Sequence, residues 1–248
     1  MRLRIINPTF RQDRQERTLA MYQAYASPGT ELSLVFLEHG PESVESDYDV
    51  ALAVPDILAQ IRRAELESMD AVILDCMSDP GLFAGRELVS IPIIGPGQAT
   101  MSLAATLADR FSVVTILERD RPVIHNQWRL YDLMGRGASV RAVNIPVLSL
   151  HDDEEDLIEA MIEQAVLAVA EDGAHAIVFG CTGMGGLAGP VQQGLEAEGY
   201  IGVPVIDPTG VALRLAESLV ALRLSHSKRT FPPPERKQIM GYERDDDQ

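Results

Sequence analysis

The feature that most restricts what this chain can become is an internal repeat. Asp70-Ala-Val-Ile-Leu-Asp-Cys76-Met-Ser-Asp-Pro-Gly-Leu82 aligns with His175-Ala-Ile-Val-Phe-Gly-Cys181-Thr-Gly-Met-Gly-Gly-Leu187. A second pair follows in the same order: Ile91-Pro-Ile-Ile-Gly-Pro-Gly97 with Val203-Pro-Val-Ile-Asp-Pro-Thr209. The cysteines are 181 − 76 = 105 residues apart and the prolines 204 − 92 = 112 apart. Two matches at nearly one offset predict a duplicated fold, two halves of about four strands each.

The rest of the chain fits that frame. Short β-branched runs at 3–7, 32–37, 71–75, 91–95, 111–117, 139–144, 174–180 and 203–207 alternate with segments of helical period at 12–26, 52–68, 80–88, 97–109, 119–134, 153–171, 184–198 and 209–224. Strands separated by helices mean an α/β protein with parallel sheets covered on both faces. The segment 225–248, with Phe231-Pro-Pro-Pro234 and many charges, reads as an extended surface tail.

In such sheets ligands bind beyond the carboxyl ends of the strands. Cys76 and Cys181 each stand at such an end, followed by a glycine-bearing turn into a helix. Helix N-termini present unpaired N–H groups and a positive dipole end, which would lower a thiol pKa and cradle an oxyanion or enolate. With the halves face to face, the thiols would oppose each other across a cleft. A racemase needs one deprotonated and one protonated group on opposite sides of a carbon, and a thiolate/thiol pair beside an activating carbonyl meets that need. Two buried cysteines packing as small hydrophobes, or a disulfide between them, are the alternative readings.

Composition removes competing chemistries. The 37 Asp and Glu against 21 Lys and Arg give a net charge of −16, which argues against a nucleic-acid partner. Lys228 and Lys237 are the only lysines, so residues 1–227 offer none for a pyridoxal-phosphate Schiff base. Two cysteines make no disulfide framework, and the five histidines show no metal-ligand spacing. The acidic runs at 152–156 and 245–247 read as a solvated helix start and a frayed tail. No stretch is long and apolar enough for a membrane span, and the N-terminus reads as a first strand rather than a signal peptide, so a cytoplasmic location is expected.

Asn7-Pro8-Thr9, Cys76-Met-Ser-Asp-Pro-Gly-Leu82, Gly180-Cys-Thr-Gly-Met184 and Pro204-Val-Ile-Asp-Pro208 resemble the aspartate/glutamate/hydantoin racemase superfamily over nearly the whole chain, most closely its hydantoin/allantoin racemase branch. The resemblance implies two pseudo-symmetric Rossmann-like lobes with parallel sheets and the active site in the cleft between them. It places residues 1–95 plus 208–248 in the first lobe with Cys76, and 96–207 in the second with Cys181. It further implies cofactor-independent proton transfer between Cys76 and Cys181, no metal, a small-molecule substrate, and a homo-oligomer, a tetramer or hexamer. Substrate contacts are expected from Asn7, Pro8, Thr9, Met77, Ser78, Thr182 and Gly183.

Departures from the branch bear on the substrate. Asn7-Pro8-Thr9-Phe10 stands where Asn-Pro-Asn-Thr is usual, and Met77-Ser78 where a Phe-Gly pair is usual. The glutamate racemase motifs are absent. A dicarboxylate would want an arginine clamp, and no arginine adjoins either cysteine motif in sequence. A nearly neutral hydantoin would need only N–H groups and hydroxyls. The expected activity is therefore racemisation of a 5-substituted hydantoin or allantoin. An aspartate/glutamate-type racemase, a single-cysteine decarboxylase or isomerase, and a non-catalytic ligand-binding relative remain as alternatives.

Overall fold

The computed structural model describes residues 1–235, 237, 238 and 240; the acidic run at 245–247 lies outside them. The predicted strands and helices are all present. They are β1 (Arg2–Asn7), α1 (Gln15–Gln23), β2 (Glu31–Phe36), α2 (Asp47–Leu66), β3 (Ala71–Leu74), α3 (Leu82–Leu88), β4 (Ile93–Ile94) and α4 (Pro96–Leu107). The second half holds β5 (Phe111–Thr115), α5 (Arg121–Leu130), β6 (Gly137–Ala142), α6 (Glu154–Ala170), β7 (Ala176–Phe179), α7 (Ala188–Ala197), β8 (Val205–Ile206) and α8 (Pro208–Ala221).

Two four-stranded sheets result, in the orders β2-β1-β3-β4 and β6-β5-β7-β8, with every pairing parallel. The orders correspond strand for strand, and the repeat seen in the sequence maps β3 onto β7 and β4 onto β8. All residues of β3, β5 and β7 are buried. That explains the continuous apolar runs of β3 and β7 and the largely apolar β5, since parallel strands are covered on both faces. In the first sheet Leu3, Ile5, Ala71 and Ile73 face α1 and α8, while Ile6, Val72 and Leu74 face α2. Each such Val, Leu or Ile side chain contributes roughly 1.5–3 kcal/mol by burial.

Some predicted bounds move for identifiable reasons. β4 and β8 shrink to two residues because Pro92 and Pro204 carry no N–H for the ladder; their carbonyls still accept from Val72 and Ile177, each at 2.9 Å. α2 begins at Asp47 rather than 52, because the Ser46 hydroxyl accepts the Asp49 N–H at 3.2 Å and the Asp49 carboxylate accepts the Ser46 hydroxyl at 2.7 Å. That reciprocal cap fixes a first turn which the apolar period alone does not mark.

The lobes are joined by packing as well as by chain. α4 lies against α8, α8 covers β3 and β4, and α4 reaches β7. The start of the tail is fastened to the first lobe rather than lying loosely. Lys228 donates to the carbonyls of Arg86 and Val89 at 2.7 and 2.6 Å, closing the end of α3. Phe231 stacks on Phe83 with centroids 5.9 Å apart. Among the described residues no helix is long and apolar enough to cross a membrane.

Candidate active site

The cysteines occupy equivalent turns at the carboxyl ends of β3 and β7. The carbonyl of Cys76 accepts the Asp79 N–H at 3.0 Å, and that of Cys181 accepts the Met184 N–H at 3.1 Å. Each sulfur also faces the N–H two residues on. Gly183 donates to the sulfur of Cys181 at 3.3 Å, and the N–H and hydroxyl of Ser78 favour the thiolate of Cys76.

The helices themselves begin farther on than expected, at Leu82 and Ala188. A single 3-10 turn, Thr182–Met184, follows Cys181. Only the local turn therefore serves each thiol, and the expected lowering of the thiol pKa is overturned. Burial pushes both Cys76 and Cys181 up to about 12, against the weaker pull of Ser78 and Gly183. Each cysteine still shows a small surface to the cavity, but the surrounding protein strips most water from the charged form. The charge of Cys76 also opposes ionisation of Cys181, so the two thiols are close enough to feel each other. Both are free thiols.

Two cavities meet at this pair. Cys76, Cys181, Thr182 and Val44 line both of them. Asn7, Pro8, Thr9 and Gly183 border the first cavity, and Met77 and Ser78 the second. Several of these side chains hold the frame together. Asn7 donates to Asp75 at 2.9 Å and accepts the Thr9 hydroxyl at 2.8 Å. Thr182 donates to the carbonyl of Asp75 at 3.1 Å, across the lobes. Met77 packs in the core with Trp128 and Met101, and its carbonyl accepts from Gln127 at 2.6 Å.

Each half ties its cysteine turn to the second helix onward, α4 or α8, through a carboxylate, placed on opposite partners. In the first, Asp79 in the cysteine turn accepts the N–H groups of Gly97 and Gln98 at 2.8 and 2.7 Å, at the start of α4. In the second, Asp207 caps α8 and accepts the N–H of Gly186, in the cysteine turn, at 2.6 Å. The repeat aligns Asp207 with Gly95, where a Cβ would lie 2.5 Å from the Asp79 carboxyl carbon. One carboxylate fits per half, so the exchange is compensated. Tyr131 donates to Asp79 at 2.6 Å and Tyr25 to Asp207 at 3.0 Å, completing the correspondence.

The sequence pattern missed the residues that fold over the first cavity. Arg11, Arg14 and Arg17, from the approach to α1 and its first turns, all line it, as does His151. Arg11 is held by Asp13 and Glu42 at 2.6 and 2.7 Å, and Arg17 pairs with Glu154 at 2.7 Å. Arg14 donates to the carbonyls of Val147 and Leu148 at 3.0 and 2.9 Å. The Asp75 carboxylate, beside Cys76, is likewise invisible as a site residue in sequence; it accepts from Tyr22 at 3.0 Å, and burial raises its pKa.

The profile of the family described as Asp/Glu/Hydantoin racemase matches residues 4–216. A hydantoin racemase of Paenarthrobacter aurescens is 37% identical over 242 residues, covering 97% of this chain and 100% of that protein. An allantoin racemase structure from Klebsiella pneumoniae superposes with a TM-score of 0.90 at 36% identity, covering 97% of this chain and 96% of that one. An allantoin racemase from Pseudomonas fluorescens gives 0.89 at 37%, covering 97% and 100%. By its strand order, its paired cysteine turns and these matches, the chain belongs to the Asp/Glu/hydantoin racemase family.

Proposed function

We propose that this racemase inverts the C5 carbon of a 5-substituted hydantoin or of allantoin, with Cys76 and Cys181 as the opposed acid/base pair and with no cofactor. Racemase activity rests on the family and on relatives named hydantoin and allantoin racemase. The observation that carries the two-cysteine reading is the matched pair of turns. Both sulfurs border the same two cavities, each beside a carbonyl-closed turn and an N–H at the second residue on.

In this reading one cysteine acts as thiolate and removes the C5 proton. The electron pair passes into the adjacent ring carbonyl, and the other cysteine returns a proton to the opposite face. Burial keeps both thiols neutral in the free protein, so the thiolate that does form is a strong base suited to a carbon acid. Asn7, Thr9, Ser78 and Thr182 border the substrate as contacts, with Gly183 holding the Cys181 sulfur and Pro8 and Met77 shaping the walls.

Polarimetry on enantiopure allantoin, 5-alkylhydantoins, aspartate and glutamate tests this. Loss of rotation with the cyclic ureides is expected. Racemisation of the open-chain amino acids alone would overturn the assignment. That second reading has one observation in its favour, the three arginines lining the first cavity, since a carboxylate is commonly held by arginine.

A further inference from the structure

The cavities on either side of the cysteine pair differ in charge. The first is bordered by Arg11, Arg14 and Arg17. The second carries Glu45, Asp47 and Asp120 and, among the described residues, no arginine or lysine. A substrate whose reacting carbon lies between the thiols must place one arm in each.

The arginines are not equivalent. Arg11 and Arg17 are neutralised by Asp13, Glu42 and Glu154. Arg14 makes no close ion pair among the described residues: its bonds go to the uncharged carbonyls of Val147 and Leu148, and it acts on Asp13, which Arg11 holds, only through space. The carboxylates on that side are engaged as well, Glu42 by Arg11 and Asp75 by Tyr22 and Asn7. His151 adds no charge at neutral pH, because burial and the neighbouring arginines hold it down to about 4. The first cavity thus keeps one guanidinium outside any ion pair; the Asp75 carboxyl on that side meets only the uncharged Tyr22 and Asn7, and burial favours its neutral form. Beside them are two buried nitrogens, the Nε of Arg17 and the Nδ1 of His151, without a hydrogen-bond partner among the described residues.

We propose that Arg14 makes the first cavity an anion-accepting subsite, so that the preferred substrate is a hydantoin whose 5-substituent ends in a carboxylate. The proposal rests on the hydantoin reading above and names the substituent. The ring then lies toward the second cavity, where Asp120 and Glu45 meet its N–H donors and would repel the substituent. The net charge of −16 gives no guide to this, because an anion in the subsite meets Arg14 directly and the surface carboxylates only through solvent.

The test compares kcat/KM for 5-carboxymethyl- and 5-carboxyethylhydantoin with that for 5-isobutylhydantoin, in the wild-type enzyme and in Arg14→Gln and Arg14→Lys. The wild type is expected to prefer the carboxylates by about tenfold or more, with a KM for them that rises with salt. Arg14→Gln should lose at least about ten times more activity on the carboxylates than on the isobutyl compound, and Arg14→Lys should restore part of the difference. A wild-type enzyme that handles isobutylhydantoin as well as the carboxylates, or an Arg14→Gln that slows all three alike, overturns the subsite while leaving the hydantoin reading intact. No racemisation of any of the three overturns both.

Discussion

The hydroxyl of Thr182 donates to the carbonyl of Asp75 at 3.1 Å. Thr182 follows one cysteine directly and Asp75 precedes the other, so this buried hydrogen bond links the two cysteine turns across the cleft, alongside that from Gln127 to the Met77 carbonyl. Replacing Thr182 by Val keeps the shape and removes the donor, leaving the Asp75 carbonyl without this partner. The expected loss is about 1–3 kcal/mol of stability, read as a lower denaturant midpoint, and a lower kcat because the thiols are no longer held in register. Thr182→Ser should recover most of both. A near-neutral Thr182→Val beside a costly Thr182→Ser would show that the methyl packing, not the bond, matters.

Both thiols are held up to about 12 by burial. In the unfolded chain they ionise near 8.5. A group whose folded pKa is raised binds its proton more tightly when folded, so its stabilising effect is complete below the unfolded value and is lost as pH rises from there toward 12. Stability should therefore fall between about pH 9 and pH 12, and the double variant Cys76→Ser/Cys181→Ser should show a flatter profile. Alkylation by iodoacetamide should be slow at pH 7 and keep accelerating well past the ordinary thiol range. A plateau near pH 8 would contradict the buried, neutral pair.

Asp79 is buried and its pKa is pushed up to about 6 by loss of water, only partly offset by Tyr131, Gln98 and Gly97. Its favourable linkage is fully present below about 3.8 and lost as pH rises through about 6. Asp79→Asn should flatten the stability profile in that window. Asp79→Ala, which strips the start of α4 of its acceptor, should cost about 1–3 kcal/mol at any pH. Urea titrations at pH 4 and pH 7 separate the two effects.

Gly180 precedes Cys181, and a Cβ there would sit 2.6 Å from the Cβ of Thr115. Gly180→Ala must push β7 away from β5 at its carboxyl end. A drop in kcat with a modest fall in melting temperature is expected, since the displaced element carries the sulfur. Gly189→Ala, where a Cβ meets nothing within 4 Å, serves as the control and should be near neutral.

What could be read in the sequence, and what could not, follows from how local each signal is. The strands announce themselves because β3 and β7 are buried throughout and apolar at every position, and the buried β5 departs only at Ser112 and Thr115, whose hydroxyls bond Ser139 and Asp120. The cysteine pair is visible because duplication places Cys76 and Cys181 at the same point of two similar segments. Arg14 gives no such signal. It precedes Cys76 by 76 − 14 = 62 residues, and its carbonyl partners lie 133 and 134 residues away. The raised thiol pKa is equally non-local, because desolvation depends on everything that surrounds the sulfur. The exchange of carboxylates between Asp79 and Asp207 is legible only once Gly95 is seen to have no room for a side chain.

The central claim, that each cysteine works on its own face of the reacting carbon, is tested by following C5 hydrogen exchange and optical rotation together in deuterated buffer. Both enantiomers of a slowly self-racemising 5-alkylhydantoin should be offered to the wild type, Cys76→Ala and Cys181→Ala. The wild type should invert both with solvent deuterium incorporated. Each variant should lose inversion of both by a factor on the order of 10² to 10⁴, since every turnover needs one base and one acid. Inversion at near wild-type rate in either single variant would contradict the two-cysteine account.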